Sequence, residues 1–353
     1  MNYKLLAVST LRQVNIGDYI QALAAAQFLP HIDGFIQRER LKDYDDEECK
    51  VIMNGWYMHH PEQWPPSEKI NPLFVSLHIN VSAKDTFLSE DSINYLKRFQ
   101  PIGCRDYYTR DLLISKGVDA YFSACLTLTL GMSYQSNERE DKCYFVDPFL
   151  PKKAMVVDEI YQVLWFLTHP NAWNAIGKIA KKLPYKSTIK KSLYACRFYR
   201  AYIKIFTKET LIEAEYLSQR NKGYRANFKT DKERLDEAMR LVNKYAKAKM
   251  VVTSRIHCAL PCLGLETPVI LTEDYEQSER KACRMGGIHD FFHTISFRKN
   301  GFEANFPFDK SKKLSISTVS INKDSWKEYA SKLAETCKDF ISKDNEYITL
   351  NRK

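Results

Sequence analysis

Residues 250–271 read MVVTSRIHCALPCLGLETPVIL, and this stretch decides the fold. An apolar strand, Met250–Thr253, ends at Ser254-Arg255 and is followed by a short helix that begins near Ile256. A second apolar strand, Pro268–Leu271, comes directly after the helix. The order strand, helix, strand predicts a parallel sheet covered by helices.

The turn inside this stretch is also the first candidate for chemistry. In open α/β sheets, ligands bind beyond the carboxyl ends of the strands, where the amino terminus of a helix offers free N–H groups. Ser254, Arg255, Ile256 and His257 occupy this turn. A guanidinium there suits a carboxylate or phosphate, and an imidazole can transfer protons near neutral pH. Spacing alone is equally compatible with an Arg255 salt bridge and a His257 hydrogen bond to the backbone.

The same alternation extends along both halves of the chain. The first half opens with a strand, Lys4–Ser9, and an Ala-rich helix, Tyr19–Phe28. We also predict strands over 32–36, 51–54, 73–78, 121–123 and 143–146, and helices over 91–99, 106–115, 154–167 and 231–248. A length of 353 residues exceeds what one core usually supports. We therefore expect two Rossmann-like α/β domains, 1–132 and 143–318, joined by a polar linker over 131–142. An amphipathic helix over 323–343 would pack on them.

A basic segment interrupts the second half. Residues 171–209 form a helical insert, and every charged residue between Lys178 and Lys208 is cationic. Apolar residues recur at helical spacing between Ile189 and Phe206, which predicts one basic amphipathic helix. Three interpretations are open: a solvated basic face on a packed helix, peripheral contact with an anionic membrane, or nucleic-acid binding. No nucleic-acid-binding motif accompanies the charge, so we expect no nucleic-acid partner.

Composition narrows the class of protein. The formal net charge of +10 and the pI of about 9.0 favour anionic partners. Nine cysteines without a Cys-x-x-Cys pair are typical of a reducing compartment, and no apolar run is long enough for a signal peptide or membrane span. We therefore expect a cytoplasmic protein. No Asp/His cluster has metal-ligand spacing, so we expect neither a metal nor a cofactor.

Further candidate site residues follow other strands. At the first strand-to-helix turn, Gly17 would let a phosphate or sugar approach the backbone, beside Asn15. Asp18 would either cap the helix, which is the favoured role, or bond a sugar hydroxyl. Trp56 or Tyr57 would either stack on an acceptor sugar or fill space in the apolar core beneath the loop. His60 would act as a base.

Several of these segments resemble the polysaccharide pyruvyl transferase family. The Arg-x-His core of TSRIHCALPCLGLETPVIL and its later Gly-x-x-x-Pro resemble the signature that closes the family's domain. Other similar segments, in the expected order, are Asn15–Asp18, Gly103-Cys104-Arg105-Asp106 with Thr109, and Ser123–Leu128. The last lacks the Asp-Pro that many members carry, which puts any acidic role there in doubt, and the insert over 171–209 is outside the common pattern.

The resemblance implies a function and roles for residues. It implies transfer of the pyruvyl group of phosphoenolpyruvate onto a sugar of a cell-surface polysaccharide or its lipid-linked precursor, in a GT-B-like cleft between two domains. Arg255 and His257 would handle phosphoenolpyruvate, and Arg105 would be a second anion-binding arginine. On residues alone, Arg105 also suits an ordinary pair with Asp106 or Asp111. Alternatives are a GT-B nucleotide-sugar glycosyltransferase and an inactive membrane-bound scaffold.

Overall fold

The computed structural model describes residues 1–8, 14–57, 59–151, 155–220, 224–299, 301–309, 311–318 and 321–350. Its strands are β1 (Asn2–Ala7), β2 (Gly34–Gln37), β3 (Cys49–Ile52), β4 (Ile70–Leu73), β5 (Ile102–Cys104), β6 (Ala120–Phe122), β7 (Glu140–Val146), β8 (Glu215–Leu217), β9 (Ala248–Thr253), β10 (Val269–Asp274), β11 (His293–Arg298) and β12 (Gly301–Ala304).

Helices separate most of the strands. They are α1 (Ile16–Ala26), α2 (Lys84–Phe87), α3 (Glu90–Arg98), α4 (Tyr107–Ile114), α5 (Gly131–Tyr134), α6 (Met155–Thr168), α7 (Trp173–Lys182), α8 (Thr188–Tyr202), α9 (Lys208–Glu213), α10 (Tyr224–Asn227), α11 (Asp231–Lys247), α12 (Ile256–Gly264), α13 (Glu279–Ala282) and α14 (Lys327–Leu350). Short 3₁₀ helices lie at Arg38–Arg40, Pro61–Gln63, Leu126–Thr129, Pro170–Ala172, His289–Phe291 and Ile316–Thr318. Each described helix is too short or too polar to cross a bilayer.

The strands form two main sheets. In the first half the order is β2-β1-β3-β4, with every pair parallel, and β5 and β6 form a parallel pair beside it. In the second half the order is β12-β11-β10-β9-β7-β8, and β12 is antiparallel to β11. The predicted mixed α/β architecture with parallel sheets is confirmed.

One apolar core reaches into both halves. The described core around α1 includes Ile20 and Leu23 together with Leu241 of α11 and Leu260 of α12. Gly264 at the end of α12 permits a close approach, because an added Cβ would lie 2.3 Å from the carbonyl oxygen of Leu128. The first and second sheets are therefore joined through packed helices. The predicted boundaries at 132 and 143 stay a prediction.

Several predicted segments differ from the observed ones. The predicted linker over 131–142 instead contains α5 and the start of β7. The strand predicted over 73–78 ends at Leu73, and Ser76 adopts a left-handed φ of 57°, which an extended strand does not allow. The ends of two other predicted segments, Ser9 and Ala154, lie outside the described residues.

The basic segment is not one helix. Helix α7 ends at Lys182, Pro184 follows, and the Ser187 side chain then caps α8 by accepting a hydrogen bond from the N–H of Lys190. Proline restricts the residue before it to extended backbone, which explains the break. The apolar side of α8 is occupied, because Cys196, Tyr199 and Tyr202 lie in the core. This side is therefore not available to a membrane.

The last helix, α14, begins at Lys327 rather than at 323. Leu333, Cys337 and Ile341 of this helix are buried, at intervals of four residues, together with Trp326 just before it. These buried side chains form the apolar side of α14, which packs on the rest of the molecule.

Candidate anion-binding and active site

Arg105 lies at the centre of the candidate site. It follows the end of β5 and precedes α4, so it stands at the carboxyl end of a parallel strand. The residue is fully buried, and none of its three guanidinium nitrogens has a hydrogen-bond partner among the described residues. The nearest carboxylate oxygen, Oδ2 of Asp106, is 3.7 Å from Nε. Because a buried unsatisfied guanidinium is costly, its presence indicates a site for an anion.

A buried aspartate and histidine pair lies beside Arg105. Nδ1 of His78 is 2.6 Å from Oδ2 of Asp106, and both side chains are fully buried. Thr109 donates from its N–H and its hydroxyl to the other oxygen of Asp106. Burial and the Arg105 charge lower the pKa of His78 to about 4, so this imidazole is neutral at neutral pH. Its Nε2 has no described partner, and neutral His78 therefore offers one free ring nitrogen to a ligand.

His257 is the second imidazole of the site. It is the second residue of α12 and adopts a non-helical ψ of 20°, and its backbone carbonyl accepts a hydrogen bond from Gln219. Its side-chain Nε2 is buried without a described partner. Burial lowers the pKa of His257 well below its usual value, and the charges of Arg105, Arg284 and Arg38 lower it further. His257 is consequently neutral at neutral pH.

Two further arginines complete the cluster. Arg38 is buried directly after β2 and pairs with Asp18 at 3.4 Å and with Glu39 at 3.0 Å, while its Nη2 has no described partner. The guanidinium of Arg284 lies 4.9 Å from the centre of the Trp56 ring, and its Nε also lacks a described partner. Burial, followed by repulsion from Arg105, lowers the pKa of Arg284 to about 10. Three guanidinium groups thus act on one buried site.

Arg255 lies at the edge of this site. Its Nε is 3.1 Å from Oδ2 of Asp147, a residue with a left-handed φ of 42° at the end of β7. The hydroxyl of Ser254 donates to the carbonyl of Asp147 at 2.7 Å. Ser254, Arg255, Ile256 and Arg284 line a pocket of 260 Å³ at the amino terminus of α12. The pocket therefore places two arginines beside a helix amino terminus.

The first strand-to-helix turn lies against this site. Asn15, and not Asp18, caps α1, because its side chain accepts a hydrogen bond from the N–H of Gly17 at 3.3 Å. The favoured capping role of Asp18 was wrong, since the Asp18 carboxylate pairs with Arg38. An added Cβ at Gly17 would lie 3.2 Å from Cβ of His257. Gly17 thus lets α1 approach the catalytic candidate.

Three predicted residues of the segment after β3 lie in three different surroundings: the site, the apolar core and the exposed surface. The half-buried Trp56 belongs to the site through Arg284, with its ring centre 6.2 Å from that of His78. Tyr57 is buried in the core and packs on Trp64. His60 lies apart, because its side chain is 54% exposed and its Nδ1 is 2.9 Å from a carboxylate oxygen of Glu62. The structure does not bring His60 together with the other candidates.

Sequence reasoning did not single out Arg38 or Arg284. Arg38 and His78 each follow an apolar run, so the rule that ligands bind beyond strand ends points to both. Arg284 lies after α13 in a segment without strand or helix periodicity, and no local signal marks it. Within the described ranges, no three His, Cys, Asp or Glu side chains converge as metal ligands.

A known protein family and a solved structure are similar to this chain. A family model described as polysaccharide pyruvyl transferase matches residues 15–274. The match includes each arginine and histidine of the site except Arg284. No curated protein matches the chain. Among solved structures, a functionally uncharacterised protein from Klebsiella pneumoniae is 12% identical, with 79% of this chain and 85% of that chain covered and a TM-score of 0.38. Because the family model spans most of its length, the chain belongs to the polysaccharide pyruvyl transferase family and has a pyruvyl transfer role in polysaccharide biosynthesis.

Proposed function

We propose that the protein transfers the pyruvyl group of phosphoenolpyruvate to two hydroxyls of one sugar and forms a cyclic ketal. The observation that supports this most is a buried set of nitrogens on Arg105, Arg284, His78 and His257 that have no hydrogen-bond partner in the described part of the chain. Phosphoenolpyruvate carries a carboxylate and a phosphate close together, and arginine binds each of these groups through paired hydrogen bonds. A donor of this charge would accept hydrogen bonds from these arginine nitrogens.

We assign the donor-binding roles by position. Arg105 would hold one anionic group in the buried cluster, and Arg255 and Arg284 would hold the other from the pocket at the start of α12. Ser254 and Ile256 would add polar and backbone contacts at this helix terminus. The Trp56 ring would hold Arg284 in position, because the guanidinium lies over this ring. This role replaces the stacking on a sugar that we expected for Trp56. No metal is needed to neutralise the donor in this scheme, and metal independence stays a prediction.

Proton balance defines what the histidines must do. Two sugar hydroxyls form the two new C–O bonds and lose their protons. One proton ends on the methylene carbon, which becomes a methyl group, and the other leaves with phosphate as the C–O bond to phosphate breaks. The reaction therefore needs groups that accept protons from hydroxyls and groups that donate them to carbon and phosphate.

The two buried imidazoles suit these two roles, one as the proton donor and the other as the proton acceptor. His257 would be the acid, since the negative charge of the bound donor opposes the arginine charges that lower the pKa of His257. His78 would be the base for an acceptor hydroxyl. It is neutral, its Nε2 is unpartnered, and Asp106 orients its ring as the carboxylate does in a nucleophile-activating triad. His60 is not part of this scheme.

The finer features of the architecture belong to the same proposal. We propose that the two sheets form GT-B-like domains that face each other across the site. We further propose that the acceptor is a sugar of a cell-surface polysaccharide or its lipid-linked precursor, such as an exopolysaccharide or capsule unit. A cytoplasmic protein at the inner face of the membrane would meet such a precursor, and the exposed lysines of 178–208 would contact anionic lipid there.

The test is release of phosphate from phosphoenolpyruvate by purified protein with free and lipid-linked sugars, followed by mass spectrometry of each sugar. We expect phosphate release together with the mass gain of a pyruvate ketal. His257→Gln should lower the rate by about 10²- to 10⁴-fold, whereas His60→Gln should leave it unchanged. Nucleotide sugars that stabilise the protein against heat, with phosphoenolpyruvate inactive throughout the panel, would instead establish the glycosyltransferase alternative.

A further inference from the structure

Helix α6 (Met155–Thr168) buries two polar side chains and exposes most of its described large apolar ones, while Trp165 and Phe166 are half-buried against the core. Its described inward residues include Asp158 and Gln162, and both are buried. The Asp158 carboxylate pairs with Arg197 of α8, and Gln162 donates to the other oxygen of Asp158 at 3.1 Å. The polar side of the helix is thus held inside the molecule by an ion pair and a hydrogen bond.

The opposite side of α6 carries an apolar stripe in solvent. The stripe consists of large side chains that are each between 41% and 61% exposed: Val157, Ile160, Tyr161, Val163, Leu164 and Leu167. The intervals of three and four residues place most of them along one side of the helix. Trp173 lies next to the stripe, exposed and stacked on Phe166 with ring centres 5.4 Å apart. A contiguous exposed apolar surface of this kind indicates a binding surface.

The basic residues that follow α6 in the chain indicate which kind of surface binds its apolar stripe. Glu159 of α6 is exposed, but from Ile160 to Lys208 every charged residue is Lys or Arg, and Lys178, Lys181, Lys186 and Lys190 are exposed. The guanidinium of Arg200 lies 4.5 Å from the centre of the Tyr161 ring, so a cation borders the stripe itself. Pairing the stripes of two copies across a twofold axis would bring two such basic surfaces together, which like charge opposes. An anionic surface with an apolar interior matches both features.

We propose that α6 is a membrane-docking helix that lies in the headgroup region of an anionic lipid bilayer. The apolar stripe enters the acyl boundary, and Arg200 contacts lipid phosphates together with lysines of the basic segment 178–208. A helix of 14 residues is about 21 Å long, which suits a helix lying in the plane of the membrane. The element that enters the bilayer is therefore α6, whereas the apolar side of α8 is packed in the core. This inference does not depend on the reaction proposed above.

The test is co-sedimentation of the full chain with vesicles of phosphatidylcholine alone or with about 30% phosphatidylglycerol. We expect binding to the anionic vesicles that weakens with salt. Ile160→Asp and Leu164→Asp should each reduce it at least tenfold, since each removes one large inserted side chain and adds a charge. Ile321→Asp is the matched control, because Ile321 is exposed outside α6 and its replacement should leave binding unchanged. Melting temperatures of the variants should match that of the parent protein.

Other outcomes would overturn the proposal. Equal binding of the parent and Leu164→Asp proteins would exclude the stripe from the contact. Failure of the parent protein to bind either kind of vesicle, combined with a dimer that Ile160→Asp dissociates, would show that a second copy covers α6 instead.

Discussion

At the scale of single residues, the site is marked by buried side-chain nitrogens that lack a described hydrogen-bond partner. Among the described residues, Arg105 is buried with three nitrogens that lack a hydrogen-bond partner, and His78 and His257 each have an Nε2 without one. Groups of this kind cost stability in the empty protein, and they contribute binding energy when an anion pairs with them. Binding and stability should therefore respond to substitution in opposite directions.

Arg105→Met should lower the affinity for phosphoenolpyruvate by about 10- to 100-fold, because a charge-assisted hydrogen-bonding group is lost. The melting temperature of the ligand-free protein should stay the same or rise, since a buried guanidinium without a described hydrogen bond is removed, whereas Asp106 keeps its hydrogen bonds with His78 and Thr109. Calorimetric titration and thermal unfolding measure the two effects. Arg110→Met is the control, because Arg110 is partly exposed and pairs with Asp111. Unchanged affinity in the Arg105 variant would remove Arg105 from the site.

The pKa of His257 predicts a pH dependence of anion binding. In the empty protein this pKa lies well below 6.5, and a bound dianion raises it. Protonation is therefore coupled to binding, and sulfate affinity should increase as the pH falls from about 8 through the pKa of His257 in the complex. Sulfate stays a dianion in this range, so its own charge does not change.

Titration of the parent protein with sulfate at several pH values measures this coupling. His257→Gln should bind sulfate with a flatter pH dependence, and His60→Gln should keep the dependence of the parent protein. A dependence of equal slope in the parent protein and in His257→Gln would show that another group takes up the proton.

At the scale of elements, the close approach of α1 to α12 positions the site. An added Cβ at Gly17 would lie 3.0 Å from Oε1 of Gln219 and 3.2 Å from Cβ of His257. Helix α1 carries Asp18, which pairs with Arg38, and α12 carries His257. The distance between the two helices therefore sets the position of residues on both sides of the site.

Gly17→Ala should lower the free energy of unfolding by about 1–3 kcal/mol and reduce activity, because the side chains of Gln219 and His257 must shift to admit the methyl group. Gly177→Ala is the matched control in α7, where an added Cβ meets nothing within 4 Å. That substitution should raise the free energy of unfolding by about 0.5–1 kcal/mol through helix propensity. Denaturant unfolding measures both changes. A Gly17→Ala protein as stable and active as the parent would contradict the close approach.

At the scale of the whole molecule, one of the three described cores is shared by the two halves, and each half also has a core of its own. Side chains of α1, from the first half, lie in one core with those of α11 and α12, from the second. Domains that each own a separate core can unfold separately, whereas halves that share a core lose it together.

We therefore expect one cooperative thermal transition, even though two domains are predicted from the length and the alternation of elements. Scanning calorimetry should give a calorimetric enthalpy equal to the van't Hoff enthalpy. Phosphoenolpyruvate should move the single transition to higher temperature as a unit. Two resolved transitions, with only one shifted by the ligand, would show that the halves are independent.

The sequence by itself determined the local features of this protein. Alternating apolar strands and helices predicted parallel sheets, and the Arg-x-His turn at residues 255–257 predicted both the family and part of the site. These features are readable because strand and helix periodicity and the position of a turn depend on residues close together in the chain. Spacing also placed Arg105 at a strand end, but it did not distinguish an anion-binding group from an ordinary ion pair.

Only the tertiary structure decided which side chains meet and in what state. The low pKa of His257 results from burial and from the charges of Arg105, Arg284 and Arg38, which act through space. All three arginines are far from His257 in the sequence. The same holds for α6, whose apolar residues predicted a helix but not which side faces solvent. Asp158 is buried because Arg197 of another helix meets it there. Burial and through-space charge depend on the packing of distant segments, and periodicity within one segment does not encode them.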